Sequence, residues 1–216
     1  MSAQTAAAAI AALVSLAATA VVAQRALTRP AARAPMLAWL IGFALFSVAE
    51  LALWYGAANG WSSATFRIYY LAGGILVVPY LAVGELLLIA PGRRFTRLAV
   101  ATMLWVTFAS TAAVIAADVD AAQLASARAT PPNDAMGGPW TTILAVVLNS
   151  VGTVILVGGS LASARRRRDL RPLLVAAGVI VIALTASATR LDSYGLFAAG
   201  QATGIVLIML GLVLRR

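Results

Sequence analysis

The chain has 216 residues, 62% of them hydrophobic and only 11% charged, with a mean hydropathy of +0.94 and a formal charge of +9. Soluble domains carry roughly 25% charged and 45–50% apolar residues, so this composition excludes a water-soluble globule. The arginines stand at the ends of apolar runs and build no basic face, which argues against a nucleic-acid partner.

The first apolar run, 6–23, has no positive charge before it and Arg25, Arg29 and Arg33 after it. That order fits an uncleaved anchor with its N-terminus outside better than a cleaved signal peptide. The second run, 36–58, ends in Trp54-Tyr55-Gly56. The third, 66–90, contains Pro79, which removes a backbone donor and predicts a kink. Pro91-Gly92-Arg93-Arg94 stops it. The fourth run is 98–117. The polar stretch 118–139, with Pro131-Pro132-Asn133-Asp134 and Gly137-Gly138, reads as an exposed extracytoplasmic loop. The fifth run, 140–162, is closed by Arg165-Arg166-Arg167-Arg168; the sixth is 172–189 and the seventh 196–214.

Each run can cross a hydrocarbon core of about 30 Å at about 1.5 Å per residue. The expected fold is therefore all-α: a single polytopic membrane bundle of about seven transmembrane helices. With the N-terminus outside and the C-terminus in the cytoplasm, thirteen arginines fall on the cytoplasmic side and only Arg67, Arg128 and Arg190 on the other. This is the positive-inside bias. Trp54, Tyr55, Trp61, Tyr69, Tyr70, Trp140 and Tyr194 gather near the outer ends, as an aromatic belt does.

Ionisable groups inside a span are costly and need a reason. Glu50 lies about 12 Å below the outer end of the second helix, with Ser47 and Trp54 on its face. Tyr69, Tyr70, Asn149, Arg190 and Gln201 stand at comparable depth. Two readings follow: an outward-facing polar pocket, or a Glu50–Arg190 pair that only pins helices together. Either requires Glu50 to face the bundle interior. Glu85 lies near the inner mouth, where Arg93 and Arg94 are expected to meet it as it snorkels; the alternative is a proton or cation site. At opposite ends of the bundle, the two carboxyls cannot form a catalytic dyad.

There is no Cys, His or Lys; all sixteen basic residues are Arg, a usage that points to a GC-rich bacterial genome. Thiol chemistry, the commonest metal ligand and general base, and Schiff-base attachment are thereby removed, and no cofactor is expected. The missing Lys excludes a retinal protein, and the missing His excludes membrane haem sites, metallohydrolases and a Ser–His pair. A weak 3+1+3 repeat is visible, but no Pro-Gln dipeptide of the sugar transporters that share that arrangement. The stretch from Arg67-Ile68-Tyr69-Tyr70 through Gly73-Gly74 and Pro79-Tyr80 to Glu85 resembles the third helix of bacterial hypothetical membrane proteins with seven predicted spans. The resemblance covers about a quarter of the chain and implies a fold and a compartment, with no substrate. The partner implied throughout is the lipid bilayer. Arg165 to Arg168 could also hold anionic headgroups, although their topological role suffices. A carrier or binding protein for a small molecule or ion ranks first, a structural or accessory membrane protein second, and an intramembrane enzyme last.

Overall fold

In the computed structural model, residues 3–28, 33–127, 133–186 and 194–214 are described, and the chain there is helical, with one isolated antiparallel bridge between Val119 and Met136. The long helices are α1 (Ala3–Thr28), α2 (Arg33–Asn59), a third span, α5 (Arg93–Ala116), α7 (Pro139–Arg167) and α9 (Tyr194–Val213). The third span is a single rod in three parts: α3 (Ser63–Tyr69), a π-helical segment (Tyr70–Leu76) and α4 (Val77–Ile89). Six helices among the described residues are long and apolar enough to cross a membrane. A further apolar helix, α8 (Leu173–Ala186), has 14 described residues, about 21 Å at about 1.5 Å per residue. A short α6 (Ala121–Ser126) lies between α5 and α7.

Neighbour relations give the plan. α1 packs on α2, α2 on the third span, the third span on α7, α7 on α8, α8 on α9, and α9 back on α1. Six helices thus close a ring, and α5 lies outside it against the third span and α7. One apolar core is fed by all six ring members: Ala18 and Val22 from α1, Trp39, Phe43 and Phe46 from α2, Leu81 from α4, Leu156 from α7, Val175 and Val179 from α8, and Ile205 and Ile208 from α9. In lipid the tails are as apolar as these side chains, so close packing rather than escape from water holds the ring together. The α8–α9 contact demonstrates it. A methyl group on Gly178 would come within 2.5 Å of the Gly204 carbonyl oxygen, so the two backbones meet where the Gly200-x-x-x-Gly204 spacing predicts a close approach. That spacing serves packing within the chain.

The outer surface is apolar. Leu104, Trp105 and Phe108 of α5 and Val147, Val154 and Leu161 of α7 are exposed. Such faces would be a liability in water and are the expected surface of a protein in lipid. Arg25, Arg33, Arg93, Arg94, Arg97, Arg165, Arg166, Arg168 and Arg171 all fall at one end of the bundle. Exposed Trp54, Tyr55 and Trp140 fall at or near the other.

The fifth helix extends beyond the apolar run 140–162 to Arg167, and Arg168 closes it in the left-handed region at φ 51°. Arg is a good helix former, and nothing before that point breaks the helix. One expectation is corrected: the stretch 118–139 is not simply an exposed loop. Gly137 N–H donates to the Asp118 carbonyl at 2.8 Å and Asp120 N–H to that of Ala135 at 2.9 Å. Leu124, Ala135 and Met136 are buried in a second core with Phe66, Tyr70 and Val114. Scattered apolar residues in a polar stretch have no period to read, yet they suffice to fold a cap over this end.

Candidate functional site

The third span owes its irregularity to two neighbouring features. Pro79 has no N–H to offer the Ile75 carbonyl and its ring crowds that turn; just before it, Gly73-Gly74 makes the backbone easy to widen. The result is a π-helical segment over Tyr70–Leu76, closed by a bond from the Val77 N–H to the Ala72 carbonyl. The disturbance expected from Pro79 is therefore a widened stretch within a continuous rod. Asn149 of α7 reaches this segment: its Nδ2 donates to the Gly74 carbonyl at 2.6 Å and to Ala145 of its own helix at 2.7 Å. π-Helical stretches inside α-helices occur frequently at functional sites.

Against this segment lies the middle of α2. A methyl group on Gly73 would stand 2.9 Å from Ala49 Cβ, so the two helices touch beside Glu50. Glu50 is only 4% exposed and its Oε2 has no hydrogen-bond partner among the described residues. The expectation that it faces the interior is met. Tyr69, tilted edge-on against Trp61 with ring centres 5.6 Å apart, lies within electrostatic reach of the carboxyl.

The helices on either side add polar groups at the same depth. One turn toward the arginine-rich end, the Ser47 and Thr19 hydroxyls bond at 2.9 Å, and nearer the other end Thr5 donates to the Ala57 carbonyl at 3.5 Å. This antiparallel register sets buried Ser15 of α1 at the height of Glu50. Its hydroxyl donates to the Ala12 carbonyl at 2.8 Å. On α9, Phe197 shares a small apolar cluster with Leu53 and Ala8. One turn inward from that cluster on both helices stand Glu50 and buried Gln201. The ring thus carries a polar level above its main apolar core.

Not every expected member joins. Trp54 is 37% exposed, although its azimuth on α2 falls between those of buried Glu50 and Ser47. Tyr70 is buried on the other side of the third span, edge-on to Phe66 at 5.8 Å and near Thr141 and Thr142. Arg190, and with it the expected Glu50–Arg190 pair, lies outside the described residues.

Glu85 is placed otherwise than expected. It does not snorkel toward Arg93 and Arg94 but is 0% exposed, and Ser163 of α7 donates to its Oε1 at 3.4 Å. Gly159 makes room for it, since a methyl there would meet Glu85 Cγ at 2.7 Å. The side of α4 that carries Glu85 is the side on which α7 packs, which determines its surroundings more than its depth does. Sequence reasoning passed over Ser15 and Thr19; their signal is a hydroxyl every fourth position on an otherwise apolar helix. No protein-family model, curated protein or solved structure matches the chain.

Proposed function

We propose that the chain is a seven-span protein of the cytoplasmic membrane, N-terminus outside, that takes a small molecule or ion at a polar pocket around Glu50 reached from the outer side. The observation that carries this reading is the buried Glu50 carboxyl, whose Oε2 lacks a partner among the described residues and which lies beside the π-helical segment. A carboxyl oxygen held this way in a membrane span costs stability, and a cost of that kind is a functional signal. The indoles of Trp39 and Trp61 and the hydroxyls of Ser110 and Ser160 are also unpartnered, but each is a neutral group. Among these five described residues, Glu50 is the one that offers a full charge to a cation, an amine or a proton.

The orientation rests on the arginines at one end. The seventh span is supported by connectivity: α7 finishes at the arginine-rich end and α9 starts from the opposite one, so the chain that includes α8 returns across the bundle. The alternative is a structural or accessory protein whose polar groups only lock helices, and the Asn149 bond to Gly74 favours it.

A thermal-shift screen of the purified protein against amines, monovalent and divalent cations and metabolites separates the two, with Glu50→Gln alongside. A ligand at about 100 times its Kd stabilises the native state by about 2.7 kcal/mol. The pocket reading expects a ligand that shifts the wild type and leaves an intact Glu50→Gln protein unmoved. A Glu50→Gln protein that melts lower, with no ligand shifting either form, supports the structural reading and overturns the pocket.

A further inference from the structure

At the arginine-rich end, a groove of about 690 Å³ runs between the first turn of α2 and the junction of α4 with α5. Ala34, Pro35, Leu87 and Pro91 give it an apolar wall, and Arg93, Thr96 and Arg97 give it a polar wall. Neither Arg93 nor Arg97 forms an ion pair with a described carboxylate; the one ion pair among the described residues joins Arg171 to Asp169. Both cations sit in the opening turns of α5, where the helix dipole is positive, with no acidic residue in the first turn and no side-chain cap from Gly92. Cations at that end of a helix repel the dipole, and an anion relieves both at once.

We infer that this groove binds the phosphate headgroup of an anionic phospholipid, with Arg93 and Arg97 on the phosphate and the apolar wall along the glycerol and upper chains. The inference rests on the reading that this end lies at a membrane surface, and is independent of any ligand at Glu50. A lipid is favoured over a soluble phosphate because half of the lining is apolar and Leu37 and Leu98, close by on the bordering helices, are exposed. Arg165, Arg166 and Arg168 are exposed on or at the end of a helix and do not line this groove, so they serve as the control.

The full chain in nanodiscs of phosphatidylglycerol and phosphatidylcholine, followed by native mass spectrometry of retained lipid, tests this. Arg93→Gln with Arg97→Gln is expected to lower the preference for phosphatidylglycerol about 30-fold, and Arg165→Gln with Arg166→Gln to leave it within about threefold. Thr96→Trp fills the groove while keeping both charges; it should lose the preference with an unchanged circular dichroism spectrum and Tm, and it decides the matter if the double Gln variant fails to insert. Unchanged retention in these groove variants, or an equal loss in the control pair, overturns the proposal. So does protection by inorganic phosphate as strong as that by phosphatidylglycerol, which would make the groove a site for a soluble anion.

Discussion

Asn149 uses its amide protons on two backbone carbonyls, one of them exposed by the widened turns of the third span. Asn149→Ala leaves Gly74 without that donor, and the expected loss is roughly 1–2 kcal/mol, measured as a lower Tm in detergent. A wild-type Tm in the variant would mean that lipid or water replaces the amide. Asn149 was visible in the sequence as a polar residue at the right depth, but not its role, because the acceptor exists only once the third span departs from α-helical bonding. The same limit applies to Trp54 and Tyr70: depth along a helix can be counted from residue numbers, whereas azimuth is decided by which neighbours pack. At the other extreme of exposure, Asp120 accepts from the backbone N–H groups of Gln123 and Ala122 and from the Gln123 side chain. These bonds, the one from Gln123 first, hold its carboxyl below the usual carboxylate range. A carboxyl depressed by folding contributes above its unfolded value, about 3.9, and that contribution is lost as pH falls through the lower folded value. The α6 turn should therefore loosen only in strong acid, seen in the amide shifts of Ala122 and Gln123. Asp120→Asn, itself a good cap, should keep the turn and abolish the titration.

Among the elements, the end of α5 is held from outside itself. The Arg67 guanidinium donates to the carbonyls of Val114, Ile115 and Ala117, the last at 2.7 Å. Carbonyls at a helix end have no partner within the helix, and a charged donor on three of them joins the third span to α5. Arg67→Gln is expected to destabilise by about 1.5–3 kcal/mol and to speed amide exchange over Val114 to Ala117. Undisturbed exchange there would show that α5 is held by its other contacts alone. No partner for Arg67 could be read from the sequence, since its acceptors lie 47 to 50 residues away. The elements themselves were largely legible, because uninterrupted apolar runs are a signal of composition and length that packing does not alter. The cap over α5 was not, since Leu124 and Met136 form no periodic pattern. The π-helical segment was half legible: Pro79 predicted a disturbance, while its form depended on Gly73-Gly74 and on the contact with Ala49.

For the whole molecule, the sharpest expectation is topological. A reporter fused after Arg216 should read cytoplasmic and one inserted near Asn133 extracytoplasmic; the reverse result would place the Glu50 level on the inner side and remove the argument for outside access. Replacing Arg165 to Arg168 with Gln should weaken that orientation while leaving Glu50 chemistry alone. The closed ring also imposes an order of events in time. α1 is made well before one of its two neighbours, α9, which begins only at Tyr194. At about 5–20 residues per second the ribosome needs on the order of ten to thirty seconds to supply that partner. Throughout that interval α1 and α2 stand as a hairpin joined by Thr19 and Ser47, with the Glu50 side of the bundle still unsealed. The half-made protein is then a different object from the finished one, and the membrane's insertion and quality-control machinery would meet an acidic residue in lipid before the last helix arrives to enclose it.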